Sequence, residues 1–233
     1  MKRSFRLFLS SPSDVDGERL RAAQVVERLK RDFQNFQFEL IRWEDSYYTA
    51  RESFQAQILK PSDCDLVISI FWKRLGTELP SQFNRSDGSG RTGTEYEFEE
   101  AVEAAAQRNP RSPEIIVYRK TAPIYFSELA VDRERAEKRA LDAFWARWFH
   151  DEKGHLTAGF QSFDSAEDFE QNLERDLRLW FDRQIRRTTW SIETQGPPFR
   201  GLKAFESQHA ETVFRQERRD RPRSGQTCDC TRT

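Results

Sequence analysis

The run Asp65-Leu66-Val67-Ile68-Ser69-Ile70-Phe71-Trp72 is nearly continuous apolar sequence. A strand with one wet face alternates polar and apolar residues, so an unbroken run marks a strand covered on both faces. That is the signature of a parallel sheet sandwiched between helices. The rest of the chain supplies what such a sheet requires. Phe5-Arg6-Leu7-Phe8-Leu9 reads as a first strand, and Phe36, Phe38 and Leu40 alternate in a second that closes at Trp43-Glu44-Asp45. Glu114-Ile115-Ile116-Val117-Tyr118 reads as a fourth, and residues 156–163 as a fifth.

Helical spacing fills the gaps between these strands. Ser13 and Asp16 have the capping-box spacing ahead of a helix to about Phe33, with Leu20, Ala23, Val26, Leu29 and Phe33 on one side. Residues 53–60 suggest a short helix. Residues 128–149 read as a long charged helix, and Ser165 with Asp168 caps another that runs to about Arg187 with Phe169, Leu173, Leu177 and Trp180 on one face. Strands alternating with helices predict an α/β, doubly wound, mainly parallel sheet of four to five strands with right-handed crossovers. Residues 1–187 form this domain. Residues 188–198 have linker character, and residues 215–233 are polar and basic, too poor in apolar side chains to build a core and expected to be disordered.

In an open parallel sheet, ligands sit beyond the carboxyl ends of the strands. Those ends bring Ser10, Ser11, Ser13 and Asp14 together with Trp43, Glu44 and Trp72 by topology alone. The Gly-rich loop of residues 87–93 follows the third strand and opens the helix of Thr94, Glu95, Tyr96, Glu97 and Phe98. Thr94 and Glu97 have the capping-box spacing. Four glutamates in the first two turns suit the positive end of the helix dipole. Two readings of Glu97 stand at this point: a helix cap on a solvated acidic face, or a carboxylate facing a pocket at the sheet edge.

Composition narrows the function classes. A formal net charge of −1 gives no global basic field for nucleic acid. No apolar run approaches the roughly 18–20 residues of a membrane span, and the first residues lack a signal-peptide apolar region, so a soluble cytoplasmic protein is expected. Cys64 stands alone in the body of the chain, with Cys228 and Cys230 in the tail, neither a disulfide framework nor a zinc spacing. Cys64 reads as a buried apolar side chain. His150 and His155 flank a turn without matching ligands, so no metal is expected. No His precedes position 150, which leaves no Ser-His-Asp arrangement in the sheet domain.

Phe8-Leu9-Ser10-Ser11-Pro12-Ser13-Asp14-Val15, Trp43-Glu44, Cys64-Asp65-Leu66-Val67-Ile68, Trp72-Lys73-Arg74-Leu75-Gly76-Thr77 and Gly93-Thr94-Glu95-Tyr96-Glu97 occur in the same order as in a TIR-like domain-of-unknown-function family (4062), and the chain resembles that family over about residues 4–120. Such domains commonly sit at the N-terminus of STAND-type signalling ATPases. Pro198-Phe199-Arg200-Gly201-Leu202 and Phe205-Glu206 look like the opening of such a module. Val213-Phe214-Arg215-Gln216 departs from its usual continuation and no phosphate loop follows, so residues 188–233 resemble a linker and a truncated ATPase start.

The resemblance implies a fold of flavodoxin and TIR type. It also implies a chemistry, since many TIR domains cleave NAD at the bond between nicotinamide and ribose with one glutamate early in the helix after the third-strand loop. Glu97 matches that position. Cationic charge develops at the anomeric carbon in such a cleavage, and a carboxylate stabilises it. Ser10, Ser11 and Ser13 are the candidate contacts to phosphate or ribose hydroxyls, Asp14, Glu44 and Thr94 are further candidate substrate-binding residues, and Trp43 or Trp72 is the candidate ring platform. NAD enters as substrate, with no resident cofactor, and the active form is expected to be a homo-oligomer. Two alternatives remain beside it: a TIR-like self-association module that cleaves nothing, and a nucleoside deoxyribosyltransferase-like hydrolase. A pocket lined by Ser11, Trp43 and Glu97 favours the enzymes, and a filled edge with Glu97 in solvent favours the module.

Overall fold

The computed structural model describes residues 3–43 and 59–189. The elements run β1 (Arg3–Ser10), α1 (Asp16–Asp32), β2 (Phe36–Ile41), β3 (Leu66–Phe71), α2 (Gly93–Gln107), β4 (Glu114–Lys120), α3 (Val131–Phe149), β5 (Gln161–Phe163) and α4 (Ala166–Thr189). The strands form one sheet in the order β2-β1-β3-β4-β5, with every pair parallel. This is an α/β doubly wound fold in the flavodoxin order. The apolar run expected to be covered on both faces is β3, which lies inside the sheet beside β1, and all six of its residues are buried.

The chain divides into two units, Met1–Arg178 and Leu179–Thr233. The first holds the whole sheet. The second is described only as far as residue 189, where it is the end of α4. The short helix expected at residues 53–60, Glu44, and the linker and tail after residue 189 lie outside the described residues, apart from Leu59 and Lys60. None of the described helices is long and apolar enough to cross a membrane.

Strand periodicity sorts the core into two layers. Val67 and Phe71 point to one face. There Val67 meets Ala101 and Phe8, while Phe71 packs with Phe98 of α2 and with Phe144 and Trp145 of α3. Tyr118 of β4 points to the other face, where its ring meets Phe169 of α4 edge-on at 5.0 Å and its hydroxyl donates to Asp176 at 2.6 Å. Helix α1 lies beside α4, tied by Arg21–Glu170 at 2.6 Å and Arg28–Glu174 at 2.7 Å.

Four local expectations are corrected. The buried stripe of α1 is Ala22, Val25, Val26 and Leu29, whereas Leu20 is 59% exposed. Leu20 lies about 200° around the helix from Ala22, at 100° per residue. The stripe was concealed because it continues through two charged residues. Glu18 is buried against Lys120, whose Nζ lies 2.8 Å from Glu18 Oε1, and Arg19 donates to the Pro12 carbonyl and lies over the Trp43 ring. Second, Ser13 does not cap α1. It opens a 3-10 turn (Ser13–Val15), and α1 then starts at Asp16 without a side-chain cap. Third, β5 is only three residues long. The turn at residues 151–154 folds back so that Leu156 bridges His150 antiparallel, which removes it from the sheet. Fourth, α3 starts at Val131, later than residue 128; the segment before it turns through Ser127, whose N–H donates to Glu134.

Candidate functional site

The order of the sheet reverses between β1 and β3, and the site forms at their carboxyl ends. Phe8 packs toward Ala101 of α2. Ser10, two residues on, points to the same face and reaches one helical turn earlier, to Glu97. Its Oγ donates a 2.7 Å hydrogen bond to Glu97 Oε2. Both residues are buried, Ser10 completely and Glu97 to 7% exposure.

Helix α2 makes Glu97 different from its neighbours. The capping box sits two residues earlier than Thr94 and Glu97: Thr92 Oγ1 accepts from Glu95 N–H, and Glu95 Oε2 accepts from Thr92 N–H at 3.0 Å. Both pairs, Thr92/Glu95 and Thr94/Glu97, satisfy the spacing in the sequence. The chain uses the first because the Gly93 N–H is taken by the Thr77 carbonyl and Leu79 N–H by Arg91, which bring the loop back antiparallel at Glu78 and Thr92. Glu97 is therefore in the second helical turn. Glu95 and Glu99 face away, where Arg85 pairs with both at 3.2 and 2.8 Å and Arg147 reaches Glu99 at 2.7 Å. Glu100 accepts from Ser62 Oγ, and burial raises its carboxyl above the usual range. Of the four glutamates in these turns, only Glu97 faces the cleft at the sheet edge.

That cleft has a volume of about 530 Å³, within the usual range for small-molecule sites. Its walls come from three segments. Ser11, Pro12 and Ser13 follow β1; Arg74, Gly76 and residues 77–80 follow β3; Gly93, Thr94 and Glu97 come from the start of α2, with Trp43 at one side. Gly76 has φ +90° and lies so close to α2 that an added Cβ would stand 3.3 Å from Thr94 Oγ1. It permits the turn that carries Arg74 into the wall.

Each candidate residue has a definite place. Ser11, Ser13, Trp43, Thr94 and Glu97 line the cleft together, and Ser10 supports Glu97 from below. Ser11 is 5% exposed, and among the described residues its Oγ has no hydrogen-bond partner. Asp14 instead turns to the loop after β3, where its Oδ2 accepts from Lys73 N–H at 3.2 Å. Burial pushes its carboxyl up, against the opposing pull of that hydrogen bond and of the Arg74 and Lys73 charges. Trp72 is outside the cleft lining: its Nε1 donates to the Ala122 carbonyl, and Lys120 Nζ lies 4.4 Å from its ring centroid. Arg74 was not among the residues singled out from sequence. Its signals are its place in the run of residues 72–77 that carries the family resemblance and its position three residues after β3, at the edge where ligands bind.

Cys64 is buried at the start of β3 among Phe8, Val67 and Ala101, and burial pushes its thiol up to about 12. It is a packing residue. Among the described residues no cluster of His, Cys, Asp or Glu is placed to hold a metal. A second depression, lined by Lys30, Gln34, Phe36 and Phe38, lies beside the starts of β1 and β2, away from the strand ends that carry Glu97.

A doubly wound sheet with a cleft at its switch point places the chain in the α/β class of folds, in which ligands bind at that edge of the sheet. The chain belongs to the family described as "Domain of unknown function (DUF4062)", which it matches over residues 6–178. No curated protein matches it. Among solved structures it is similar to an acetyl xylan esterase (Est2A) from the rumen bacterium Butyrivibrio proteoclasticus, at 12% identity and a TM-score of 0.29, over 79% of this chain and 64% of that one. The chain thus spans less than two thirds of that protein, and no argument about chemistry follows from so slight a likeness.

Proposed function

We propose that this chain is a TIR-like effector domain of a STAND-type signalling protein that cleaves NAD at the nicotinamide–ribose bond when it oligomerises. One observation carries the reading: a buried carboxylate, Glu97, is fixed by Ser10 and faces a cleft at the switch point of the sheet. The capping work here belongs to Glu95, and Glu97 lines the cleft.

In the proposed reaction the bond between ribose C1′ and the pyridinium nitrogen breaks, and its electron pair goes to the nitrogen. Nicotinamide leaves neutral, so no acid is required. Positive charge develops at C1′ and the ring oxygen, and the Glu97 carboxylate stabilises it. Water adds to C1′ and releases a proton, giving ADP-ribose. Ser10 holds the carboxylate in place, and Trp43, with Arg19 over its ring, stands at the side of the cleft as the aromatic candidate to meet the nicotinamide. Ser11, Trp43 and Glu97 share one cleft, which supports an enzyme over a self-association module. The experiment is to cluster the full chain on a scaffold and assay nicotinamide release from NAD, with free nucleosides incubated separately. Nicotinamide release supports the reading. Base release from nucleosides alone points to the nucleoside deoxyribosyltransferase-like alternative, and neither product points to the module.

A further inference from the structure

The cleft holds a cation whose role the reaction above leaves unassigned. Among the described lining residues Arg74 alone is positively charged, beside two carboxylates, Glu78 and Glu97. Among the described residues the buried Arg74 Nε makes no hydrogen bond and no carboxylate forms an ion pair within 4.0 Å of the guanidinium, although its charge is felt by Asp14. A guanidinium carries five donors in a planar fork that matches the oxygens of a phosphate. The Ser11 hydroxyl is a second buried donor on the same cleft, without a partner among the described residues. The amino end of α2, at Gly93 and Thr94, adds the positive end of a helix dipole to that wall. Three independent features thus favour an anion: a cation, an unused hydroxyl and a helix start. The Gly93 N–H is already taken by the Thr77 carbonyl and the Glu95 N–H by Thr92, so the cation and the hydroxyl carry the case and the helix dipole adds to it.

We propose that Arg74 and Ser11 form a phosphate-binding subsite, so that the ligand of this cleft is a phosphorylated nucleotide and not a free nucleoside. The inference rests on the reading of Glu97 as the group that acts at the sugar, because it places the phosphate in the same cleft as that carboxylate. Arg74 selects the substrate class and Glu97 acts at the sugar–base bond.

The test is calorimetric titration of the full chain with ADP-ribose and, separately, with adenosine. The parent is expected to bind ADP-ribose at least about tenfold more tightly than adenosine, with the difference shrinking as salt rises. Arg74→Gln should weaken ADP-ribose binding by about tenfold or more and leave adenosine binding unchanged, with Arg74→Lys between the two. Ser11→Ala removes a single hydroxyl and is the probe if Arg74→Gln does not fold; it should weaken ADP-ribose binding alone. Equal affinity for the two ligands, parent-like ADP-ribose binding in these variants, or no binding of ADP-ribose overturns the subsite. The two readings fail separately. ADP-ribose held through Arg74, with no nicotinamide released by clustered protein, removes the catalytic reading and keeps the subsite. NAD and nicotinamide riboside cleaved equally well by parent and Arg74→Gln removes the subsite and keeps Glu97.

Discussion

Ser10 Oγ donates to Glu97 Oε2 at 2.7 Å, joining the end of β1 to the second turn of α2 across 87 residues of sequence. Both side chains are buried, so the bond forms where water cannot replace it. Ser10→Ala leaves the carboxylate without that donor. A hydrogen bond to a charged group contributes about 1.5–3 kcal/mol, and the loss should fall in that range by denaturant titration. The proposed cleavage should also slow, because Glu97 loses its fixed orientation. Ser10→Thr keeps the hydroxyl and should retain more of the stability than Ser10→Ala. Equal stability of parent and Ser10→Ala would mean that this bond does not hold Glu97 in place.

Gly76 and Gly88 form a matched pair. Both have positive φ, +90° and +84°, but only Gly76 has neighbours within contact distance of an added Cβ. Alanine at either position incurs the left-handed penalty of about 1–2 kcal/mol. Gly76→Ala adds a 3.3 Å approach to Thr94 Oγ1 and should be the more destabilising of the two. It should also displace Arg74 and disturb the cleft, whereas Gly88→Ala should leave ligand binding intact. Thermal unfolding and ADP-ribose titration of both variants check this.

Asp14 predicts a pH dependence. Its carboxyl is raised above the ordinary value of 3.8, with burial the largest cause. The folded state therefore binds its proton more tightly than the unfolded state does. This group's contribution to stability falls as pH rises from about 3.8 through the raised folded value, and above that the loss is complete. Asp14→Asn keeps an oxygen for the Lys73 N–H and removes the charge. It should raise the melting temperature at pH 7, by an amount that shrinks toward zero below about pH 3.8. A variant less stable than the parent at pH 7 would mean that the Asp14 charge is favourable where it lies, through Arg74 and Lys73.

The architecture was legible wherever burial and hydrophobicity coincide. Residues 65–72 announced β3 because a strand covered on both faces admits few polar residues, and its neighbours followed from the strand–helix alternation. The stripe of α1 was misread because Glu18 and Arg19 are buried as partners of Lys120 and of the Pro12 carbonyl, which a hydrophobic pattern cannot register. The capping box of α2 was displaced by two residues because Thr92 and Thr94 are each followed by glutamate at the right spacing, and the loop's return against Thr77 decides between them. Glu97, Ser11 and Trp43 could be gathered from topology alone, since strand ends of a parallel sheet meet. Arg74 could not: the direction of its side chain depends on the turn that Gly76 permits, and that turn is a tertiary feature.

The central claim is that the Glu97 charge stabilises the reacting sugar. The measurement is the rate of nicotinamide release from NAD by clustered full chain, parent against Glu97→Gln, with melting temperatures taken on the same samples. Glutamine keeps the shape and an acceptor for Ser10 Oγ, and removes the charge. The account predicts nicotinamide release by the parent and a loss of about 10²–10³ or more in rate for Glu97→Gln, at a nearly unchanged melting temperature. No release by clustered parent, or a rate for Glu97→Gln that merely tracks the fraction folded, would contradict it.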